Sequence, residues 1–254
     1  MFLKFNKMAS FTKWLGAGLG WSFGGPIGAL LGYMVGNVID GFTKADIEDF
    51  RQQAANHDND THSGDFEVSL LILSSFVIKA DGKIDQRELD FVRAYFVKMY
   101  GKDRANHAFR LFKGIIKSND VSVRQISLQI RQQMQHASRL QLMHYLFALA
   151  KADEIVTPDE LDMLHKIAGY LNINLHDFES IKAMFYKDSE SAYKILEIEK
   201  SATDKEIKTA YRKMVKKHHP DKVKHLGDAH LKGAEEKFLK IQEAYETIKQ
   251  KRKL

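Results

Sequence analysis

A chain of 254 residues that is 44% hydrophobic has the length and apolar content of one or two folded domains. It contains no cysteine, which excludes a disulfide framework, a thiolate metal site and a cysteine nucleophile. The net charge of +6 sits at one end: residues 190–254 hold 17 Lys and Arg against 11 Asp and Glu, while residues 1–189 hold 22 of each. Attraction to an anionic partner surface therefore belongs to the last quarter of the chain.

From Trp14 to Ile39 there is no charged residue, a run of 26 that exceeds the ~20 residues a membrane-spanning helix needs. Gly16, Gly20, Gly24, Gly28, Gly32 and Gly36 recur at every fourth position. On a helix this draws a stripe along which two backbones could approach closely, a route to a homodimer. The spacing predicts a membrane anchor over 1–43. It is too long for a signal peptide and too apolar for a soluble glycine-rich loop. Lys4, Lys7 and Lys13 precede the run, which favours a cytoplasmic N-terminus. Gly24-Gly25-Pro26 interrupts it, so a re-entrant hairpin with both ends on the cytoplasmic side competes with a single span.

A polar linker is expected over 44–64. Beyond it, segments such as "LDFVRAYFVKMY", "VRQISLQIRQQM" and "LDMLHKIAGYLNI" place apolar residues at three- and four-residue steps. Convincing strand alternation is missing, so an all-α fold is expected, with a helical bundle over 65–186. Two joints echo each other, "KADGKIDQREL" from Lys79 and "KADEIVTPDEL" from Lys151. In the first, Asp85 and Glu88 have capping-box spacing; in the second, Thr157 and Glu160 do, with Pro158 at the first helical position. Capping explains these carboxylates better than an EF-hand loop, whose ligand spacing they lack. This region resembles the TerB-like helical domain of tellurite-resistance proteins. That resemblance implies weak divalent-cation binding, with Asp81, Asp85, Asp153 and Glu160 as ligands. Thr157 stands where the first copy has Asp85, leaving one carboxylate fewer.

Over 190–254 a short helix begins at "SAYKILEI", and a second follows Thr203 or Asp204 as its cap. Ile207, Ala210, Tyr211, Met214 and Val215 form its apolar face, with Lys208, Arg212, Lys213, Lys216 and Lys217 largely off it. His219-Pro220-Asp221 ends that helix. A loop through Gly227 leads to a third helix with Phe238, Ile241, Ala244, Tyr245 and Ile248 facing inward. "EIKTAYRKMVKKHHPDK" and "KFLKIQEAYETI" resemble the J domain of DnaJ-type co-chaperones. The resemblance implies docking on an ATP-loaded DnaK-type chaperone. His219, Pro220 and Asp221 would be the trigger for its ATPase, Lys208, Arg212, Lys213 and Lys216 the steering surface, and Tyr211 a support or contact. His218 and His225 are expected to be bystanders. The family's fourth helix is absent or reduced to "QKRKL".

Anchor, TerB-like bundle and terminal J domain, in that order, resemble the DjlA type of membrane-anchored DnaJ-like protein. That implies an inner-membrane location with both helical domains facing the cytoplasm, no cofactor and no nucleic-acid partner. The rival reading is a membrane-associated nucleic-acid-binding or metal-sensing helical protein. Aromatic residues are scarce on the basic face, and no recognised nucleic-acid motif accompanies it. The sequence holds no P-loop, H-E-x-x-H or G-x-S-x-G motif, so an enzyme is not expected.

Overall fold

The computed structural model describes residues 61–117, 122–186, 190–226 and 228–253. The anchor, its six stripe glycines and most of the linker lie outside the described residues. Among the described residues there is no strand. A bundle is formed by α1 (Thr61–Ile78), α2 (Gln86–Tyr100), α3 (Lys102–Lys117), α4 (Val123–Gln133), α5 (His136–Ala150), α6 (Pro158–Tyr170) and α7 (Leu175–Ala183). A C-terminal unit follows: α8 (Ser191–Ile195), α9 (Asp204–Lys217), a 3₁₀ turn over Pro220–Leu226 and α10 (Asp228–Arg252). Helix α1 starts at Thr61, inside the segment read as linker, and α10 starts at Asp228, inside the segment read as loop.

α1 and α5 are apolar nearly all round, and such helices belong at the centre. Leu70, Leu71, Ile72, Leu73, Val77 and Ile78 of α1 are buried, as are Leu140, Leu142, Met143, Tyr145, Leu146, Phe147 and Leu149 of α5. One polar pair ties them together. Ser74 Oγ lies 2.6 Å from the Leu70 carbonyl and 3.0 Å from the Tyr145 hydroxyl, joining the two central helices.

The sequence echo is a structural one. α1 ends at Ile78 and α5 at Ala150; α2 starts at Gln86 and α6 at Pro158. Both partner helices carry complete capping boxes, Asp85 with Glu88 and Thr157 with Glu160. Each turn also needs one left-handed residue. The first copy supplies Gly82 at φ 77°, whereas the second has Glu154 at φ 73°. A side chain at such a φ costs roughly 1–2 kcal/mol. Gly82→Ala is therefore expected to lower stability by about 1 kcal/mol and Glu154→Gly to raise it by a smaller amount, since glycine also loosens the unfolded chain. Urea unfolding of both variants would read the opposite signs.

Two cores form. In the C-terminal unit Ile207, Ala210 and Met214 of α9 pack on Ile241, Ala244 and Ile248 of α10, together with Tyr193, Ile195 and Leu196. The end of α7 (Ala183, Met184) joins this core. In return Val223, Leu226 and Ala234 of the C-terminal unit lie in the core of the bundle. Helix α10 absorbs much of "QKRKL". Its Arg252 hydrogen-bonds the Tyr193 hydroxyl (3.2 Å) and the Lys200 and Ala202 carbonyls, tying the end of α10 back to the segment between α8 and α9.

Candidate functional site

The basic helix α9 is started by Thr203. Its N–H and hydroxyl both donate to Glu206 Oε2, at 2.7 and 2.8 Å, and the Glu206 N–H donates back to Thr203 Oγ1 at 3.3 Å. These bonds hold the Glu206 carboxyl below its ordinary value, placing negative charge at the positive end of the helix dipole. With Ile207, Ala210 and Met214 turned into the core, Lys208, Arg212, Lys213 and Lys216 are left in solvent. Tyr211 is half-buried, its ring stacked on Tyr245 at 4.1 Å and 12°.

The helix stops where proline requires it. The His218 N–H still bonds the Met214 carbonyl at 2.9 Å, and Pro220 opens the 3₁₀ turn, with the Lys222 N–H bonded to the His219 carbonyl at 3.0 Å. His219 is held by two neighbours. Its Nδ1 accepts from the Asp221 N–H at 3.3 Å and lies 3.4 Å from Asp221 Oδ2; its ring meets Phe238 edge-on at 6.1 Å. Phe238 is thus half-buried under the loop rather than in the core, a correction to its expected inward position. The side chains of His219 and Asp221 are 48% and 74% exposed, so both can be reached by a partner.

An open depression brings together Tyr211, Arg212, Val215, Lys216, His219, Asp221 and Lys222. Five of the eight residues singled out for partner binding line it. Pro220 shapes the turn, Lys208 stands further along α9, and Lys213 reaches to 3.6 Å from Glu197. Val215 and Lys222 are additions. The helical period assigns Val215 to the inward face, yet it is only half-buried, and Lys222 lies beyond the motif.

The flanking histidines both contact the rest of the chain. His218 is 4% exposed. Burial, with the charges of Lys237 and Lys217 nearby, pushes its pKa well down and keeps the ring neutral. His225 Nε2 lies 3.1 Å from the Ser138 hydroxyl on α5. Lys217, the last residue of α9, is drawn inward to the buried carboxylates of Asp177 and Glu197. Burial works against its charge, but the two carboxylates outweigh it and raise its pKa.

Of the four candidate cation ligands, Asp85 and Asp153 are brought together, with Arg87 between them. Its guanidinium pairs with Asp85 Oδ2 at 2.9 Å and with Asp153 Oδ2 at 3.7 Å. The hydrogen bonds from Arg87 hold the Asp85 carboxyl down at about 2. Asp81 accepts from the Lys83 N–H and Asp153 from the Ile155 N–H, each closing its own turn. Glu160 is 5% exposed and engaged in its capping box. Glu88, the matching residue of the first copy, is pushed up to about 8 by burial, with the charge of Glu160 adding to it. Among the described residues, no three His, Asp or Glu converge as metal ligands would.

Models of three families match the chain: Tellurite resistance protein TerB over residues 67–183, the DnaJ domain over 191–254 and the Co-chaperone DjlA transmembrane domain over 8–55. A Co-chaperone protein DjlA of Coxiella burnetii is 26% identical over 269 residues, 95% of this chain and 98% of its own. A Co-chaperone protein DjlA of Vibrio vulnificus is 30% identical over 231 residues, 74% of this chain and 78% of its own. The chain belongs to the DjlA co-chaperone family. The Chaperone protein DnaJ of Fusobacterium nucleatum is similar only through the J domain, 49% identical over 61 residues that make up 24% of this chain and 16% of that protein. No solved structure matches. The bundle is accordingly the TerB domain of a DjlA co-chaperone, the C-terminal unit is its J domain, and the depression lies on the J domain's outer face.

Proposed function

We propose that this DjlA-family chain holds a DnaK-type ATP-dependent chaperone at the cytoplasmic face of the inner membrane and stimulates its ATP hydrolysis through His219-Pro220-Asp221. The carrying observation is the exposed His219–Asp221 pair opening into the same depression as Arg212, Lys216 and Lys222. In this reading Lys208, Arg212, Lys213 and Lys216 steer an acidic partner face and raise the on-rate. Asp221 forms a charge-assisted pair with an arginine of the chaperone. Tyr211, fixed by its stack on Tyr245, gives the contact an apolar floor. The membrane segment matched over 8–55 would tether the pair, and its glycine stripe would let two copies associate. A cation held by Asp81, Asp85, Asp153 and Glu160 would have to displace Arg87 from Asp85 and Asp153.

The test is single-turnover ATP hydrolysis by the DnaK-type chaperone with the full chain in detergent micelles. Wild type is expected to raise the rate, and His219→Gln to return it to the chaperone's own basal value at every concentration. Stimulation that survives His219→Gln would reject the trigger, and no stimulation by wild type would reject the co-chaperone mechanism as a whole.

A further inference from the structure

Helix α10 has two buried stripes. The C-terminal one, Ile241, Ala244 and Ile248, belongs to the J domain's own core. The N-terminal one, His230, Gly233, Ala234 and Lys237, faces the TerB domain. His230, Ala234 and Lys237 are 0%, 1% and 2% exposed. His230 Nε2 lies 2.7 Å from the Tyr100 hydroxyl of α2. A Cβ at Gly233 would stand 2.6 Å from Gln141 Nε2 of α5, so any larger residue there must push the Gln141 side chain aside. Lys98 and Glu236 pair at 3.3 Å at the rim.

The same seam grips the trigger loop. After His219-Pro220-Asp221 the chain runs on as a seven-residue 3₁₀ turn, longer than the three or four residues such turns usually sustain alone. External support comes from the TerB domain. Val223 and Leu226 are 3% and 2% exposed in its core, packed on α1 and α5, and His225 meets Ser138. On the other flank His218 is buried. The loop is therefore fixed before and after the trigger while His219 and Asp221 face outward. The residues lining the docking depression and those forming the seam are different sets, so the contact leaves the partner face open.

We propose that the TerB domain is a positioning partner for the J domain: the seam orders residues 220–226 and presents His219 and Asp221 already in place, so that the chaperone pays no ordering cost on binding. The inference rests on the docking reading above. A loop that is competent only part of the time weakens apparent affinity in proportion to the competent fraction, and leaves the outcome of binding unchanged. Loss of the seam should then raise the half-saturating concentration without lowering the plateau of stimulation, whereas His219→Gln lowers the plateau.

Gly233→Leu is the probe. It raises helix propensity within α10, so it does not weaken the J domain itself, but it cannot fit against Gln141. Gln141→Ala removes that obstacle. The full chain would be followed by amide exchange over residues 222–226 and by stimulated ATP hydrolysis against concentration. Gly233→Leu is expected to speed exchange in the loop and raise the half-saturating concentration about three- to tenfold at an unchanged plateau. The Gly233→Leu/Gln141→Ala double variant should restore both. Leu226→Asp, which breaks the seam from the loop side, should repeat the first result without that rescue. Loop exchange unchanged in both single variants overturns the proposal. So does faster exchange with an unchanged half-saturating concentration, or a lowered plateau alone. If wild type fails to stimulate hydrolysis at all, the docking reading fails, and the exchange comparison still decides whether the TerB domain orders the loop.

Discussion

Replacing Asp177 with alanine is expected to lower the stability of the chain by about 3–5 kcal/mol, the usual consequence of removing one member of a buried ion pair. Asp177 lies on α7 with its side chain fully buried. Its Oδ2 accepts from the Asn174 amide at 2.9 Å and lies 3.2 Å from His136 Nε2. The Lys217 ammonium pairs with Oδ1 and also with Glu197 Oε1, the latter at 2.5 Å. Burial alone would raise the Asp177 carboxyl, but the bonds from His136 and Lys217 outweigh it and hold the group well below the usual carboxylate range. The alanine variant would leave Lys217, a group only 20% exposed, with half its partners. Because Asp177 belongs to the TerB domain and Lys217 to the J domain, the loss also loosens the seam.

Two further variants separate charge from shape. Asp177→Asn keeps the size and part of the bonding, and is expected to cost about 1–3 kcal/mol. Asp177→Ala combined with Lys217→Met removes both charges. It should be more stable than the sum of the single variants predicts, by about 1–3 kcal/mol in a double-mutant cycle measured by urea unfolding. Strict additivity would mean that Lys217 is satisfied by Glu197 alone.

Much of the fold can be read from short-range patterns. The three- and four-residue apolar steps of α2, α4 and α6 mark their faces, and Asp85/Glu88, Thr157/Glu160 and Thr203/Glu206 mark helix starts because capping is a local interaction. The stripe His230, Gly233, Ala234, Lys237 has the same helical period yet carries no apolar signal. What buries it is a partner helix distant in sequence. His218 is hidden for the same reason: a histidine in a lysine-rich stretch reads as solvated until another domain covers it. In the sequence the segment after Pro220 reads as a loop because proline and glycine punctuate it. Its 3₁₀ form depends on Val223 and Leu226 finding the TerB core, which no local rule reports. The depression itself was more legible, since the basic residues and the trigger share one helix and its end.

Acidification should destabilise the chain, and the buried titratable groups fix the window. His230 is wholly buried and its pKa is lowered by burial to about 4, while His218 is also lowered. Unfolded, both return to the ordinary histidine value near 6.5. Between about 6.5 and 4 the unfolded chain therefore binds protons that the folded chain refuses, so stability present above 6.5 is lost as the pH falls. His144, lowered by burial and by Lys237 and Lys240 to about 3, acts in the same direction. Glu88 acts against them. Raised to about 8 by burial, it holds a proton in the folded state that the unfolded chain releases, and so adds stability as the pH falls from about 8 toward 4.5. One proton corresponds to about 1.4 kcal/mol per pH unit. The histidines exceed the single glutamate, so wild type should lose roughly 1–3 kcal/mol per unit between pH 6 and 5, a net one to two protons. Glu88→Gln removes the opposing group and should steepen the slope by one proton, whereas His230→Phe should flatten it by one. Equal slopes in wild type and His230→Phe, from urea midpoints across that range, would show that His230 does not titrate between the folded and unfolded states.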